Sequence, residues 1–454
     1  MRPRIILPAG VAALLLIAGT VAAQVSPALP WLGDESAVAA GARAHTAAAA
    51  SRTVYETPTS TPAAEPTPTP GPTEIPTDRL QRVLDVLRER YGVPGASATI
   101  VWPDGRTWTG VSGLADVKAV SPVTTDAAFS LGSVSKTFTA ALILDLADEG
   151  RLTLDDPVRG WLPDALPEAK VGSAVTIRML LDHTSGLYDF FMHPKIDKAL
   201  TAKRTRSWAP AQSLRYVRSP YFAPGEGWRY SNTNYVLLGL IAERVTGQPL
   251  AAELRQRFFD PLGMTTAFVQ GAEPARSAVV RAYRFSGGSR AARPIDVSDG
   301  TGITPFTSVV TAAGAAGAVA ASSSDVARWA IALYGGAALS PARSTEMTDG
   351  VARTRALRAR IPYGLGVQAV AVGGRPTYGH SGRFIGARSV MRYLVNEGAA
   401  IAVLTNQSRT DPAYFAKRLL DVAFPPPPPS PALTAEGPSA APSTSPSPSA
   451  AILP

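Results

Sequence analysis

The spacing of hydrophobic and polar residues predicts regular structure only in the middle of this chain. Apolar residues from Leu80 to Leu87 form one stripe at helical spacing, which predicts a first helix capped by Thr77 or Asp78. Two strand-like runs follow, at 96–102 and 107–111, and a Pro-Asp-Gly turn joins them. That combination is typical of a β-hairpin, so the ordered part of the chain begins with a helix and a hairpin.

A second, more apolar helical pattern follows a short polar entry at Gly132. Apolar residues recur at helical spacing from Phe138 to Leu146, so we expect this helix to be buried and rigid. Ser133 and Lys136 lie three residues apart in its first turn and therefore on one face. A lysine whose pKa is lowered by desolvation can take the proton of a serine nucleophile, and Ser-x-x-Lys is an acylation signature for that reason. An isolated tetrapeptide of this kind also occurs by chance.

The order of the remaining patterns predicts the fold class. The region from about 148 to 263 is mostly helical, and strand patterns return at 367–372, 387–394 and 399–404, before a last helix at about 412–424. Strands at both ends with helices between them predict an α/β (α+β) fold, in which one antiparallel sheet is formed by the two termini and a mostly helical lobe is inserted. We expect the site in the cleft between sheet and lobe.

Both ends of the chain have compositions that do not build a core. Residues 1–23 combine a basic start, an apolar run and small residues, which predicts a signal peptide, the alternative being an uncleaved membrane anchor. Residues 24–76 are rich in Ala, Thr and Pro, and residues 425–454 in Pro, Ser and Ala, which is typical of disordered spacers and tails. We expect the folded domain at 77–424.

Composition excludes several kinds of chemistry. The chain has no cysteine, so it has no disulfide, thiol nucleophile or thiolate metal site. Its 4 histidines do not stand at the spacing of a histidine zinc site. The net charge of +9 comes from scattered residues and not from long basic runs, which favours affinity for an anionic envelope over nucleic-acid binding.

Two later segments carry polar residues suited to the same chemistry as the serine and lysine. Tyr230 and Asn232 alternate just before an apolar helix expected from Val236. A tyrosine near an ammonium group can act as a general base, and an asparagine amide can bind a substrate carbonyl; the alternative is a loop tyrosine followed by a capping asparagine. His380 precedes Gly382, where a glycine lets a substrate approach a strand edge, the alternative being a histidine satisfied at a strand end.

Taken in order, Ser-x-x-Lys, Tyr-x-Asn and His-x-Gly make residues 77–424 resemble the serine β-lactamase and penicillin-binding-protein superfamily. The resemblance is greatest to the branch that holds class C β-lactamases, D-alanyl-D-alanine carboxypeptidases and related esterases. Supporting stretches stand at 154–157, 176–187, 224–239 and 363–366. Such ordered motifs are specific for a fold and less so for a substrate.

The resemblance implies the catalytic roles. Ser133 would be the acylated nucleophile, Lys136 its activating partner and Tyr230 the general base or proton relay. The hydroxyl would attack an amide or ester carbonyl, and water would release the product from the acyl-enzyme. This mechanism implies no metal and no organic cofactor.

The resemblance also implies a substrate-binding wall. Asn232 would be a substrate-orienting amide, and His380 would stand beside Gly382 where other branches carry a lysine. The backbone N–H groups of Ser133 and Arg383 would form the oxyanion hole. His183 falls in a family-like stretch, and we interpret it as structural because the following Thr-Ser-Gly looks like a turn.

These features predict a secreted serine hydrolase at or near the cell wall, and our first choice is a D-alanyl-D-alanine carboxypeptidase acting on peptidoglycan stem peptides. The stretches 185–189 and 230–234 look most like that subgroup. Other small acyl substrates and β-lactams are the alternative ligands, with a class C-like β-lactamase or a carboxylesterase as the alternative enzyme. From another class, the alternative is a non-catalytic wall-associated binding protein. We expect a monomer that contacts the membrane only through an uncleaved signal peptide.

One departure bears on the first choice. Carboxypeptidases of this branch resemble one another in an arginine shortly after the Tyr-Gly-Leu-Gly stretch, whereas this chain has Gln368 there. Arginine is the better partner for a substrate carboxylate. Arg383 is our candidate replacement.

Overall fold

The computed structural model describes residues 74–165, 167, 170–285 and 293–425. The predicted signal peptide, nearly all of the predicted N-terminal spacer and nearly all of the C-terminal tail lie outside these residues, so their interpretation stays a prediction. No helix in the described part of the chain is long and apolar enough to cross a lipid bilayer.

The opening helix and hairpin form as the pattern predicts. Helix α1 covers Thr77–Tyr91 and buries its leucine stripe, although Pro76 stands at the cap and no side chain caps the helix. Strands β1 (Gly95–Val101) and β2 (Thr107–Asp116) are paired antiparallel, and the second is longer than predicted. The turn between them uses Gly105 at φ +83°, a left-handed conformation that glycine adopts without strain.

The central sheet joins the two ends of the domain. It has 7 strands, in the order β3 (Ser121–Pro122), β2, β1, β12 (Ala399–Thr405), β11 (Ala387–Leu394), β10 (Arg375–Phe384) and β9 (Gln368–Val372). Strand β1 is hydrogen-bonded to β12, the last strand of the described residues. Each neighbouring pair is antiparallel, which confirms the predicted sheet. The list of predicted strands lacked β10, the strand that carries His380.

The inserted lobe is mostly helical, as predicted, and short strands complete it. Its helices and those that lie between it and the sheet are α2 (Ser135–Asp148), α3 (Val158–Trp161), α4 (Ile177–Leu181), α5 (Ile196–Ala202), α6 (Pro210–Ser213), α7 (Asn232–Thr246), α8 (Leu250–Leu254), α9 (Thr307–Ala313), α10 (Ser323–Tyr334) and α11 (Pro341–Ala356). The short strands are β4 (Phe129–Ser130), β5 (Phe268–Val269), β6 (Tyr283–Phe285), β7 (Pro294–Asp296) and β8 (Val319–Ala321).

Two apolar cores cover the two faces of the sheet. One contains leucines of α1 together with Phe415 and Leu419 of α12 (Pro412–Ala423). The larger core surrounds α2, whose only residues not fully buried are Asp145 and Asp148. A helix buried along nearly its whole length holds its first turn in a fixed position, because close-packed interiors resist displacement.

The edge of the sheet near α2 is only partly covered. Strand β9 pairs with β10 up to Gly379 and then ends. From His380 to Phe384 the outer side of β10 therefore has no strand partner among the described residues, and the turn at Gly132–Val134 packs there instead. This part of the β10 edge therefore lies against the turn that leads into α2.

Candidate active site

Ser133 lies in a 3₁₀ turn, Gly132–Val134, that leads directly into α2. Gly132 has φ +52°, and a Cβ atom there would come within 2.9 Å of the Arg383 backbone nitrogen. The Ser389 hydroxyl fixes the residue before the turn by donating to the Leu131 carbonyl at 2.7 Å. A glycine is required at Gly132 for both conformation and space, and it seats the nucleophile turn against β10.

Lys136 is completely buried beneath Ser133 and has matched hydrogen-bond partners. Its ammonium nitrogen lies 2.8 Å from the Asn232 side-chain oxygen, 2.8 Å from the Ala316 carbonyl and 3.2 Å from Ser133 Oγ. An ammonium group has three donors, so the two fixed oxygens take two of them and the third points to the serine. When the amine is neutral, its lone pair can occupy that third position and accept the serine proton.

Asn232 is the first residue of α7, so this helix begins four residues earlier than the predicted start at Val236. Both ends of its side chain are used within the protein. The amide oxygen accepts from Lys136, and the amide nitrogen donates to the Asp189 carboxylate at 2.9 Å. The structure therefore shows Asn232 holding the lysine, and its predicted role in orienting substrate stays a prediction.

Tyr230 lies on the other side of the lysine, just before α7. Its ring centre is 4.9 Å from Lys136 Nζ, which is within cation–π distance. The ring also packs on His183, with centres 4.3 Å apart. The structure brings the Tyr230 ring to the lysine, and aromatic neighbours fix its position. Its role as general base stays a prediction.

His183, which we interpreted as structural, lines the same cluster. Its Nδ1 accepts hydrogen bonds from the Ser231 backbone at 3.3 Å and from the Asn234 amide at 3.2 Å, which puts the proton on Nε2. Burial and the nearby charge of Lys136 lower its pKa well below 6.5. A neutral histidine there packs against Tyr230 without adding a charge that would oppose the lysine.

His380 is buried on β10 and is also held neutral. Its Nδ1 donates to the Ser381 carbonyl at 2.6 Å, which leaves Nε2 to accept from the Tyr363 hydroxyl at 2.8 Å. Burial, with Lys136 nearby, lowers the pKa of His380 well below 6.5. This chain therefore has a neutral imidazole ring at this position, whereas the resemblance implies that other branches carry a lysine there.

Gln368 is the first residue of β9 and pairs with Gly379, the residue before His380. Its side-chain oxygen accepts from the Ser381 backbone N–H at 3.1 Å, the Ser381 hydroxyl at 3.2 Å and Arg392 at 2.9 Å. Gly379 lies between Gln368 and Arg392 in the sheet register, so the two long side chains meet above a residue without a side chain. The glutamine is thus fixed by the sheet itself.

Three members of the site were missed by sequence reasoning. They are the Asp189 carboxylate, the Tyr363 hydroxyl and the Ala316 carbonyl. Asp189 and Tyr363 stand in stretches that carried the resemblance, so their positions could have been singled out. A backbone carbonyl leaves no signal in the residue types.

The arrangement suits acyl transfer. Ser133 is partly exposed above a buried lysine, which is the geometry of a nucleophile and its activating amine. The packing of Gly132 on the Arg383 backbone brings the segments that carry the N–H groups of Ser133 and Arg383 together. Their pairing as an oxyanion hole stays a prediction, and the geometry is compatible with it.

The profile of one protein family, described as beta-lactamase, matches residues 80–424, which is most of the chain and includes every residue of the site. The chain belongs to the beta-lactamase family. As a member of this family with an assembled serine and lysine, it is a serine hydrolase of the beta-lactamase and penicillin-binding-protein type.

Several characterised relatives of this beta-lactamase-family hydrolase are similar over different lengths. Penicillin-binding protein 4 of Amycolatopsis lactamdurans is 32% identical over 338 residues, covering 72% of this chain and 84% of that protein. Esterase EstB of Burkholderia gladioli is 40% identical over 211 residues, covering 44% of this chain and 53% of the esterase, about half its length.

Solved structures give a similar result. A D-stereospecific amidohydrolase from Streptomyces sp. superposes with a TM-score of 0.65 at 30% identity, covering 77% of this chain and 98% of that one. The D-amino acid amidase of Ochrobactrum anthropi SV3 reaches a TM-score of 0.65 at 28% identity, covering 76% and 97%. The predicted superfamily and fold are confirmed.

Proposed function

We propose that this hydrolase cleaves D-amino-acid amide or peptide bonds through an acyl-enzyme on Ser133, with D-alanyl-D-alanine-ended peptidoglycan stem peptides as the first substrate to test. The observation that carries the acyl-enzyme is the 3.2 Å contact between Lys136 Nζ and Ser133 Oγ, with Lys136 buried. The substrate class is supported by near-complete coverage of the D-specific amidohydrolase and broad coverage of penicillin-binding protein 4.

In this mechanism the Ser133 oxygen bonds to the substrate carbonyl carbon while its proton passes to the Lys136 amine, directly or through Tyr230. The proton then moves to the leaving nitrogen as the carbon–nitrogen bond breaks. Water repeats the sequence on the acyl-enzyme and releases the acid. The fixed acceptors on Lys136 keep its position constant through both halves, since neither the Asn232 oxygen nor the Ala316 carbonyl takes part in the chemistry.

A second candidate is an amidase or esterase for substrates whose leaving side carries no carboxylate. The surroundings of Gln368 favour it, because the glutamine oxygen is occupied by Ser381 and by the Arg392 guanidinium, which is itself buried, and the neutral His380 adds no positive charge. A carboxylate is better bound by a guanidinium or ammonium. The similarity to EstB supports the same reading.

The proposed location is outside the cytoplasmic membrane. It is supported by the basic and apolar start of the chain and by the proline-rich segment that follows, both typical of exported proteins with a spacer. Fractionation of cells that express the full chain, with N-terminal sequencing of the mature protein, tests export and cleavage together. A protein found only in the cytoplasm with an intact N-terminus would contradict this proposal.

Paired substrates test the two candidates. We would measure release of D-alanine from an N-acyl-D-Ala-D-Ala peptide and of ammonia from its C-terminal amide, with Ser133→Ala as the control. A carboxypeptidase prefers the free acid, whereas the second candidate prefers the amide. Benzylpenicillin, followed by drug loss and intact protein mass, separates a lasting adduct from turnover by a β-lactamase. No reaction with any of these substrates, together with activity on the L-configured peptide, would contradict the proposed D-specificity.

A further inference from the structure

The mechanism above does not use the buried carboxylate of Asp189, which is linked to Lys136 through one intervening side chain, that of Asn232. Asp189 is 3% exposed. One of its oxygens accepts from the Phe191 backbone N–H at 3.1 Å and so caps the short turn Phe190–Met192. The other accepts from the Asn232 amide nitrogen at 2.9 Å. The chain of contacts therefore runs from Asp189 through Asn232 to Lys136.

The charge state of Asp189 decides how the Asn232 amide is oriented. An ionised carboxylate has no proton to donate, so the NH₂ end of the amide must face it. The amide oxygen then faces Lys136, at 2.8 Å from its nitrogen. In the opposite orientation, the oxygen would face the carboxylate and the NH₂ group would face the ammonium, and both contacts would be repulsive.

The orientation of the amide in turn aims the lysine. With the Asn232 oxygen and the Ala316 carbonyl each taking one N–H, the remaining position on the tetrahedral nitrogen points to Ser133 Oγ. If the Asn232 oxygen turns away, Lys136 loses one of its two fixed acceptors, and its amine can rotate away from the serine. A misplacement of about 1 Å from the productive geometry can lower a rate by about 10²-fold.

We propose that Asp189 is a positioning residue for acyl transfer, which fixes the Asn232 amide so that Lys136 directs its third N–H position to the Ser133 hydroxyl. This inference rests on the proposed acyl-enzyme at Ser133.

Three groups lie around Asp189 on the elements packed against it. They are Asn232 on α7, Lys136 on α2 beyond it, and Tyr221, whose hydroxyl lies 3.4 Å from the Asp189 backbone nitrogen. Burial raises the pKa of Asp189 to about 6, and the hydrogen bonds from Phe191 and Asn232 oppose that rise, as does the charge of Lys136. A protonated Asp189 can donate as well as accept, so the amide loses its fixed orientation as the pH falls through this value.

Asp189→Asn makes the two roles of the carboxylate compete. The substituted side chain keeps one oxygen, but both the Phe191 N–H and the Asn232 NH₂ need an acceptor. If the oxygen stays on Phe191, the new NH₂ forces Asn232 to turn its own oxygen away from Lys136. The variant therefore tests the amide orientation without removing volume from the site.

The test follows kcat/KM for a chromogenic ester between pH 5 and 8. We expect the wild type to show an acid limb near pH 6, and we expect Asp189→Asn to abolish that limb and to lower kcat/KM by about 10²-fold at pH 8. Asp411→Asn is the matched control, because Asp411 caps α12 through the same contact, to the Ala413 N–H at 3.0 Å, and α12 packs in the core that does not contain α2. The control should keep both the rate and the acid limb.

A double-mutant cycle with Asn232→Ala shows whether Asp189 acts through the amide. Once Asn232 is removed, Asp189→Asn should cause no further loss, and the acid limb should already be absent in Asn232→Ala alone. That last measurement applies even if Asp189→Asn fails to fold. Additive losses, or an unchanged acid limb in either variant, would overturn the proposal. A wild type that never acylates Ser133 would instead refute the proposed function.

Discussion

The side of the site that carries Lys136, called here the lysine wall, and the side formed by β10, called the β10 wall, use their polar groups differently. On the first, the buried ammonium meets Asn232, Ala316 and Ser133, and the partners belong to helices and a tight turn inside the larger core. On the second, Gln368 is tied to Ser381 and Arg392 within the sheet, and His380 is paired with Tyr363. The first wall holds a reacting group, and the second shapes what can lie beside it.

This difference shows which properties of the enzyme are fixed by the family and which are not. The lysine wall needs a fixed geometry for any acyl transfer, so it can be recognised from few residues. The β10 wall determines the charge that the leaving side of the substrate meets, and a single residue such as Gln368 changes that. The two walls can be tested separately, and the four predictions below run from the largest effect to the smallest.

The largest effect is expected from Lys136→Met, which keeps the length of the side chain and removes its amine. We expect acylation to slow by about 10²- to 10⁴-fold, since a positioned proton acceptor contributes that much. The measurement is the rate of ester hydrolysis in the burst and steady-state phases. Lys198→Met, on the exposed face of α5, is the control and should leave both rates unchanged. Retention of the wild-type rate by Lys136→Met would show that another group activates the serine.

The next effect concerns stability on the lysine wall. Because the pKa of Asp189 is raised from 3.8 to about 6, the native state binds more protons than the unfolded state between these values. The contribution of Asp189 to folding therefore becomes less favourable as the pH rises through that window, by about 3 kcal/mol. Urea unfolding from pH 4 to 7 measures how steeply the free energy of unfolding changes with pH in the wild type and in Asp189→Asn. Parallel curves would contradict the raised pKa.

The junction of the two walls is tested by Gly132→Ala. A methyl group there would meet the Arg383 backbone at 2.9 Å, in a backbone conformation with φ +52°. We expect a loss of about 2–4 kcal/mol in unfolding free energy, together with loss of acylation. Gly105→Ala is the comparison, since it also has positive φ but nothing within 4 Å. It should cost only the conformational part, about 1–2 kcal/mol. Equal losses of unfolding free energy in the two variants would mean that the short distance between Gly132 and the Arg383 backbone adds no cost of its own.

The smallest effect is expected on the β10 wall, from Arg383→Ala. If Arg383 binds the terminal carboxylate, KM for the free acid should rise about tenfold while KM for the matching C-terminal amide stays constant. The substitution leaves the backbone N–H in place, so acylation of a neutral ester should also be unchanged. Unchanged values for both peptides would remove Arg383 as the replacement for the missing arginine.

Most of the fold follows from local patterns. The helix stripe from Leu80 to Leu87, the Pro-Asp-Gly turn and the runs that became β11 and β12 are set by spacing and turn chemistry, which act over a few residues. The start of α7 was missed because Asn232 and the three residues after it are polar or aromatic, and buried hydrogen bonds, not apolar spacing, make them helical.

The site was predictable to the extent that side chains carry its chemistry. Ser133, Lys136 and Tyr230 come together as the motifs suggested. The link from Asp189 through Asn232 joins residues 43 positions apart, and the Ala316 carbonyl lies 180 positions from the lysine it holds. Such contacts depend on how the lobe packs around α2, and no spacing within one segment encodes them.

Acylation of Ser133, with Lys136 as its partner, is the step on which the proposed function depends. The most direct test mixes the protein with a chromogenic ester, stops the reaction within milliseconds and determines the mass of the protein and its peptides. We predict one acyl group, on the peptide that contains Ser133, and none in Ser133→Ala. An acyl group on another residue, or hydrolysis by Ser133→Ala at the wild-type rate, would contradict the account.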